Sequence, residues 1–287
     1  MNRTQRSHLI VAALSHPGMS GKNNEDRFSV CAYTGEAEKP VLFAVVSDGI
    51  GGHRAGEVAA ELAVNYIIEK VSQSNGKNPL EIMESAIHSA SEAIASRSAS
   101  KADQQGMGAT CACVWVEGDR LYTAYIGDSR IYLVRDGRIQ RLTVDHTWVQ
   151  EAIEKGIITA EQARDHPNVH VIRRHLGQVE LPEVDYRLHL SPEDNPEQAR
   201  QNQGTQLRAG DTLLVCSDGL TDLVWDDEIL RLITTRNALK SAAEDLIAQA
   251  NERGGHDNIT VVLIGVPKQG VGETQKKKGF LQNLLGD

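Results

Sequence analysis

The sequence predicts an α+β fold built on antiparallel strands. Two observations support this class: two consecutive amphipathic helical segments follow the first strands, and four central strands are joined by tight turns. The strongest turn signal is Asp136-Gly137, because aspartate followed by glycine accepts the left-handed backbone of a two-residue hairpin. With 287 residues, the chain is long enough for one large domain with a sizeable core.

The N-terminal part predicts three strands followed by the two helices. The third strand has six residues without a polar side chain and runs into Ser47, Asp48 and Gly49. A buried strand that ends on an aspartate and a glycine-rich turn fixes the backbone and lets other groups approach closely. The helices are predicted to cover one face of a sheet. The predicted strands are Leu9–Leu14, Phe28–Tyr33 and Val41–Val46, and the predicted helices are Glu57–Lys70 and Leu80–Arg97.

The centre of the chain predicts four strands and then a helical insertion. Residues 144–177 change character, and we interpret them as a mobile insertion on the sheet. Five of the ten histidines lie in or near it, but their spacing matches no zinc motif. The predicted strands are Cys111–Val116, Leu121–Ile126, Arg130–Arg135 and Arg138–Leu142, and the helical segments of the insertion are Trp148–Lys155 and Thr159–Arg164.

The C-terminal part again contains an apolar strand that runs into Ser-Asp-Gly, here Ser217, Asp218 and Gly219. Before it, the polar residues 191–206 are predicted to form a surface loop. The end of the chain carries Lys276–Lys278 and an apolar patch; we expect a flexible, solvated tail, with a short helix that meets a membrane or a partner as the alternative. The predicted elements are the strands Thr212–Cys216 and Ile259–Val266 and the helices Asp226–Thr235 and Ala238–Glu252.

Composition excludes several classes of protein. The 30 basic and 39 acidic residues give a net charge of −9, which argues against a nucleic-acid groove or a polybasic membrane surface. No run approaches the roughly 18 apolar residues of a membrane span. The four cysteines lie in apolar runs and form no CxxC pair, so we expect buried thiols in a reducing compartment, which predicts a cytoplasmic protein.

Six aspartates occur at the ends of predicted strands or within about one turn of them, and four of the six stand beside glycine, asparagine or serine. For any one of them, a turn-forming role is the ordinary interpretation. That interpretation is weaker for Asp48 and Asp218, because both follow buried strands of the same form. Two carboxylates brought together repel each other unless a cation joins them. The six are Asp26, Asp48, Asp128, Asp218, Asp222 and Asp257.

Oxygen ligands without thiolates or an imidazole pattern favour magnesium or manganese over zinc. A shared carboxylate such as Asp48 allows two metals at ~3.5–4 Å, bridged by a water of lowered pKa. That assembly is suited to phosphoester hydrolysis with the bridging hydroxide as the nucleophile. A serine or cysteine nucleophile is not required, and neither a GxSxG nor a C-x5-R motif occurs.

At this point the sequence resembles a known family, the metal-dependent protein Ser/Thr phosphatases of type 2C in their bacterial form. The resemblance covers about residues 9–266. It implies a four-layer α/β/β/α sandwich of two antiparallel sheets flanked by helices. The matching pieces, in chain order, are NNEDRF, VVSDGIGGHRAGE, GMGATC, YIGDSRIYL, the insertion from DHTWVQ to RRHLG, LLVCSDGLTD and HDNITVVL.

The resemblance also implies roles for individual residues. Asp48 matches the carboxylate that bridges the two catalytic metals, and the Gly49 carbonyl binds one of them. Asp218 and Asp257 match the other direct ligands. Residues 144–177 match the flap, which borders the site and influences substrate choice. The remaining implied metal residues are Glu25 and Asp26, through bound waters, and Asp128 and Asp222, at a third and weaker metal site.

Two departures from the family pattern stand out. The arginine that grips the substrate phosphate is replaced by Gly21, and the adjacent Lys22 can serve as a point charge without the bidentate geometry of arginine. The histidine that some members carry directly after Asp-Gly, proposed as general acid, is replaced by Ile50. His53 matches the bacterial GGH pattern, where an acid role, a helix N-cap and a flap contact are the alternatives.

The resemblance implies an enzyme that hydrolyses phosphoserine and phosphothreonine in proteins with two catalytic Mn²⁺ or Mg²⁺ ions and a weaker site for a third. The alternative is a binding or regulatory module of the same fold with little turnover, motivated by Gly21 and by the tail. The expected partners are phosphorylated proteins, a Ser/Thr kinase and its substrates, and we expect a monomer. The predicted organisation is an N-terminal extension (1–8), the catalytic domain with its flap (9–266) and the tail (267–287).

Overall fold

Two antiparallel β-sheets face each other in the computed structural model, which describes residues 1–51, 55–164 (without the side chain of 164) and 166–268. The strands are β1 (Asn2–Thr4), β2 (Ile10–His16), β3 (Arg27–Thr34), β4 (Pro40–Ser47), β5 (Gly49–Ile50), β6 (Gly108–Ala109), β7 (Cys111–Glu117), β8 (Arg120–Ile126), β9 (Arg130–Arg135), β10 (Arg138–Arg141), β11 (Thr205–Gln206), β12 (Thr212–Cys216) and β13 (Ile259–Gly265). The helices are α1 (Ala55–Gln73), α2 (Pro79–Ser100), α3 (Trp148–Glu154), α4 (Ala160–Arg164), α5 (Pro196–Gln201), α6 (Asp218–Thr221), α7 (Asp226–Thr235) and α8 (Leu239–Glu252).

The strand order explains how distant residues meet. The six-stranded sheet has the order β1-β3-β4-β7-β8-β11, and the five-stranded sheet has the order β10-β9-β12-β13-β2. Arg27 at the start of β3 pairs with Ser47 at the end of β4. In the other sheet, Cys216 at the end of β12 pairs with Val261 near the start of β13. The residues that precede or follow these four strands therefore gather at one end of the sandwich.

Three hydrophobic cores separate the four layers, which confirms the predicted sandwich. Side chains alternate between the two faces of a strand, so a strand buried on both sides contributes to two cores. On β4, Phe43 and Val45 face α1 and α2, whereas Ala44 and Val46 face the other sheet. On β12, Val215 faces the space between the sheets. The third core lies under α7 and α8 and includes Leu214, Cys216, Leu246 and Val261.

Most predicted elements are confirmed within one to three residues of their ends, and the two hairpins form as expected. Asp136 and Gly137 have positive φ values of 50° and 70°, the backbone that a tight hairpin needs. All four cysteines are buried and free, as predicted. Among the helices that the structure describes, none is both long and apolar enough to cross a bilayer.

One prediction about an irregular segment differs from the structure. Residues 191–206, predicted as a surface loop, contain α5 and β11. The sequence carried the signal for α5: Asn195 accepts hydrogen bonds from the N–H groups of Glu197 and Gln198 (both 3.0 Å), and Gln198 caps it in return. Residues 1–8, which we expect to precede the catalytic domain, include β1, which pairs with β3 at the edge of the larger sheet.

Candidate metal centre

Asp48 is held by its main chain at the end of β4. Its N–H donates to Thr110 Oγ1 (2.9 Å), and its carbonyl accepts from the Thr110 N–H (2.8 Å). Ser47 Oγ donates to the Thr110 carbonyl (2.7 Å). Thr110 thus fixes the main chain at Ser47 and Asp48, and this sets the position from which the Asp48 carboxylate extends.

Asp218 lies at the equivalent place in the second sheet, directly after β12. The buried Ser217 before it connects the two strand ends: its Oγ accepts from the Thr260 N–H (3.0 Å) and donates to Asp26 Oδ2 (2.7 Å). Sequence reasoning treated Ser217 only as part of the Ser-Asp-Gly pattern. Its link to Asp26 joins residues 191 positions apart, which no local signal could indicate.

Asn258 orders the loop that carries Glu25. Its Oδ1 accepts from the Glu25 N–H (2.7 Å), and its Nδ2 donates to the carbonyls of Pro17 and Asn23 (both 3.1 Å). Its own N–H donates to Asp257 Oδ1 (2.8 Å). Asn258 is 3% exposed, and a buried side chain with every polar atom engaged is a positioning group. The sequence analysis missed it, although it stands directly beside Asp257.

Two glycines allow groups of the site to approach closely. A Cβ placed on Gly56 would lie 2.5 Å from Glu25 Oε2 and 2.6 Å from the Gly49 carbonyl oxygen. A Cβ on Gly49 would lie 2.1 Å from the Gly56 carbonyl oxygen. Neither position has room for a side chain, so the Glu25 carboxylate and the Gly49 carbonyl, both predicted as metal-binding groups, are neighbours because residue 56 is glycine.

The carboxylates of the site interact strongly with one another. Asp48 and Asp218 lie close enough for each to perturb the ionisation of the other, and the pKa of both is raised, first by burial. Burial raises the pKa of Asp48 well above its usual range, and the charges of Asp26, Asp218 and Asp128 add to the effect. Burial, together with the charges of Asp218 and Asp257, raises the pKa of Asp26 to about 7 despite its bond from Ser217. Buried carboxylates this close to one another repel unless a proton or a cation compensates their charge.

This set of donors fits divalent cations that prefer oxygen ligands. Among the described residues, no lysine or arginine forms an ion pair with Asp26, Asp48, Asp128, Asp218 or Asp257. Two buried oxygens, Asp26 Oδ1 and Asp218 Oδ1, accept no hydrogen bond. Buried carboxylates are normally paired or bound to a metal. Converging carboxylates beside a main-chain carbonyl, that of Gly49, match magnesium or manganese chemistry.

The residues predicted for a third metal both lie beside Asp218. Asp128 is 7% exposed, and burial followed by the charge of Asp218 raises its pKa. Asp222 faces the flap: His170 Nδ1 lies 3.5 Å from Asp222 Oδ2, and a ligand atom of each can lie within 4.8 Å of Asp218. Burial raises the pKa of Asp222 to about 7. Sequence reasoning set the histidines aside for lack of a zinc motif, and thus missed His170.

A family model described as Protein phosphatase 2C matches residues 18–263. The chain belongs to the protein phosphatase 2C family. This confirms the family predicted from the motifs, and the fold of the solved family members agrees with the four layers described above.

Individual relatives of the type 2C family support the assignment. The chain is 36% identical over 268 residues to the serine/threonine protein phosphatase PstP of Mycobacterium tuberculosis, covering 93% of this chain and 47% of that protein. A solved serine/threonine phosphatase of S. agalactiae has a TM-score of 0.78 at 32% identity, covering 90% and 99% of the two chains. The catalytic domain of PstP, solved with 2 manganese ions, has a TM-score of 0.73 at 33% identity, covering 90% and 98%.

The departures from the type 2C pattern have a structural context. Gly21, at the position where the resemblance implies a phosphate-binding arginine, has φ +74°, a conformation that is strained for any residue with a side chain. The neighbouring Lys22 is exposed. Burial and the charges of Asp257 and Glu57 raise the pKa of Glu25, and the charge of Lys22 opposes them, which places Lys22 near the carboxylates. His53 lies outside the described residues.

Proposed function

We propose that this chain is a metal-dependent protein phosphatase that hydrolyses phosphoserine and phosphothreonine in proteins. The observation that carries the proposal is the group of converging carboxylates without a described basic ion-pair partner, in a chain of the type 2C family. Its relatives are named serine/threonine phosphatases, which favours an enzyme over a binding module with little turnover. Because the chain spans 47% of the PstP relative's length, the activity is a proposal for the chain itself.

The proposed ligands are the groups that the family resemblance implies. Asp48, Asp218 and Asp257 would hold two Mn²⁺ or Mg²⁺ ions through their carboxylates, with Asp48 serving both ions. The Gly49 carbonyl would add a main-chain oxygen. Glu25 and Asp26 would act through bound waters, and Asp128 with Asp222 would hold a third ion. The Thr110, Ser217 and Asn258 contacts position these groups.

When bound, the cations would supply a water of lowered pKa and neutralise charge on the phosphoryl group. The chain's own residues bind and orient the substrate. Lys22 provides an exposed positive charge beside the carboxylates for the phosphate. The flap, residues 144–177, carries His170 to the edge of Asp222 and borders the cleft of about 320 Å³ formed with Leu223, His256 and Asp257. This cleft is the proposed place for the peptide around the phosphorylated residue.

An assay of phosphate release from a phosphothreonine peptide tests the function. Activity should require added Mn²⁺ or Mg²⁺, should disappear with EDTA, and should fall at least about a hundredfold in Asp48→Asn and Asp218→Asn. Asp103→Asn, which changes an exposed aspartate, is the matched control and should keep full activity. Turnover that persists in EDTA, or that survives in Asp48→Asn, would exclude the proposal. Binding of phosphopeptide without turnover at saturating manganese would revive the binding-module alternative.

The substrates, organisation and location are further proposals. We propose phosphorylated proteins, including a Ser/Thr kinase and its targets, as substrates, and a monomeric enzyme with a catalytic domain at about residues 9–266. The four buried free cysteines support a cytoplasmic location. Exchange of the flap with that of a relative should change peptide preference more than turnover of a small phosphoester. An equal loss on both substrates would limit the flap to a structural role.

A further inference from the structure

His146 lies at the base of the flap and is a buried polar residue that the metal centre does not use. It is 6% exposed, and its ring stacks on that of Tyr125, with centroids 5.4 Å apart and planes inclined by 13°. The Tyr125 hydroxyl in turn accepts from the Val144 N–H (3.1 Å), where the flap begins. The ring therefore lies between a strand of the larger sheet and the root of the flap.

Hydrogen bonds determine which ring nitrogen of His146 carries the hydrogen. The Gly127 N–H donates to Nδ1 (3.0 Å), so Nδ1 is unprotonated. Nε2 therefore holds the hydrogen and donates to Asp185 Oδ2 (3.1 Å). Arg187 holds Asp185 in place through Nε, at 3.1 and 2.8 Å from its two carboxylate oxygens. Arg174 Nη1, 3.4 Å from Nε2, donates instead to the Glu183 carbonyl (3.0 Å).

The main chain of His146 joins the two ends of the flap. Its carbonyl accepts from the Arg173 N–H (2.7 Å) at the far end of the flap, and its N–H donates to the Gly127 carbonyl (3.0 Å). The next residue, Thr147, forms a β-bridge with Ile172. We call the two facing ends of the flap, residues 144–147 and 172–173, the flap neck. His146 thus contacts both sides of the flap neck and the turn that follows β8.

That turn leads directly to the metal centre. Gly127 has φ +101°, and a Cβ there would lie 2.6 Å from Thr110 Cγ2, so the turn packs tightly on Thr110. Thr110 Oγ1 bonds Ser129 Oγ (2.7 Å) and accepts from the Asp48 N–H (2.9 Å). Asp128 lies between Gly127 and Ser129. Contacts therefore run without a gap from the flap neck through His146 and the turn to Asp48.

We propose that His146 is a positioning residue that couples the flap to the metal centre: Nδ1 fixes the turn that carries Asp128, and Nε2 anchors the flap neck to Asp185. The two nitrogens have separate roles. A substitution that mimics only one of them should therefore separate the effect on the turn that carries Asp128 from the effect on the flap. Asparagine places an acceptor near Nδ1, and glutamine places a donor near Nε2. Of the measurements that test this proposal, only the kinetics of peptide dephosphorylation rest on the proposed phosphatase function.

The test compares His146→Asn, His146→Gln and His146→Ala by Mn²⁺ titration calorimetry and by amide hydrogen exchange of the full chain. His146→Asn should bind Mn²⁺ like the parent but exchange flap amides about tenfold faster. His146→Gln should protect the flap and bind Mn²⁺ about tenfold more weakly. In peptide dephosphorylation, the asparagine variant should raise KM and the glutamine variant should lower kcat. His146→Ala should lose both.

The control is His8→Asn, which removes a half-buried ring whose Nε2 bonds the Gly118 carbonyl (2.9 Å) in a hairpin away from the flap. It should change neither Mn²⁺ affinity nor flap exchange. Equal losses in the asparagine and glutamine variants, or losses matched by His8→Asn, would overturn the proposal and leave His146 a packing residue. Calorimetry and exchange decide this even if the chain proves to have no phosphatase activity, and even if His146→Ala does not fold.

Discussion

Replacing Asp26 with asparagine should stabilise the metal-free protein at alkaline pH while weakening its response to manganese. Asp26 is 2% exposed, accepts one hydrogen bond from Ser217, and has a second oxygen without a partner. Its pKa is raised from 3.8 to about 7 by burial and by the charges of Asp218 and Asp257. Each pKa unit corresponds to about 1.4 kcal/mol, so the ionised carboxylate costs about 4 kcal/mol at pH 8.

The sign follows from proton binding. Because the folded-state pKa is above the unfolded value, the native protein binds more protons between pH 3.8 and about 7, and stability falls as the pH rises through this window. Asparagine removes the charge but introduces a buried N–H₂ group where Oδ1 lacks a partner, which costs roughly 1–3 kcal/mol. The net gain for Asp26→Asn should be about 1–3 kcal/mol at pH 8, and it should shrink by about 2–3 kcal/mol at pH 5.

Urea unfolding in EDTA at both pH values measures this difference. Asp103→Asn should change stability by less than about 0.5 kcal/mol at either pH. Saturating Mn²⁺ should reverse the order, because a cation at 100 times its Kd adds about 2.7 kcal/mol to a protein that binds it only when folded. The interpretation of the cluster as uncompensated charge would be refuted by an Asp26→Asn protein that is less stable than the parent in EDTA at pH 8. It would also be refuted if the difference in unfolding free energy between variant and parent were the same at both pH values.

Three further substitutions test other parts of the structure. Gly56→Ala should cut activity about a hundredfold, since the new Cβ would displace the Glu25 carboxylate and the Gly49 carbonyl. Gly35→Ala is the control and should keep its activity, because a Cβ there would meet only the Val41 side chain at 3.2 Å and the Lys39 carbonyl oxygen at 3.6 Å. Lys22→Ala should raise KM for a phosphopeptide several-fold with kcat unchanged, whereas Lys101→Ala, also exposed, should leave KM as it is; an unchanged KM in Lys22→Ala would remove Lys22 from phosphate binding. Trp115→Ala removes a fully buried ring packed edge-on against Phe43 and should cost about 3–5 kcal/mol in urea unfolding; Tyr66→Ala, 38% exposed, should cost about 1 kcal/mol or less.

Local patterns predicted the elements well because they act over a few residues. The unbroken apolar run of β4, the Asp-Gly turn before β10 and the two amphipathic helices were visible without a structure. The sequence of residues 191–206 does contain a helix signal, but the segment was interpreted from its polar composition alone. Asn195, Pro196 and Gln198 form the N-terminus of a helix, which composition does not indicate.

The candidate ligands could be named from the sequence because strand ends and glycine-rich turns mark them. The residues that hold these ligands in place could not be named from the sequence. Asn258 orders a loop 233 residues away, and Ser217 holds Asp26 across 191 residues. His170 lies in an insertion whose placement against Asp222 depends on how the flap folds back on the sheet. None of these pairs has a signature in the neighbourhood of either residue.

By itself, the sequence determined the family, the strands and helices, and the aspartates at the strand ends, because each depends on short-range periodicity, turn chemistry and motif order. Only the tertiary structure decided which aspartates perturb the pKa values of one another, which groups hold the main chain of Asp48, and how His146 joins the flap to the turn that carries Asp128. The physical reason is sheet pairing: antiparallel strands bring the ends of β3, β4, β12 and β13 to one end of the sandwich. Charges that are distant along the chain then have to be compensated together.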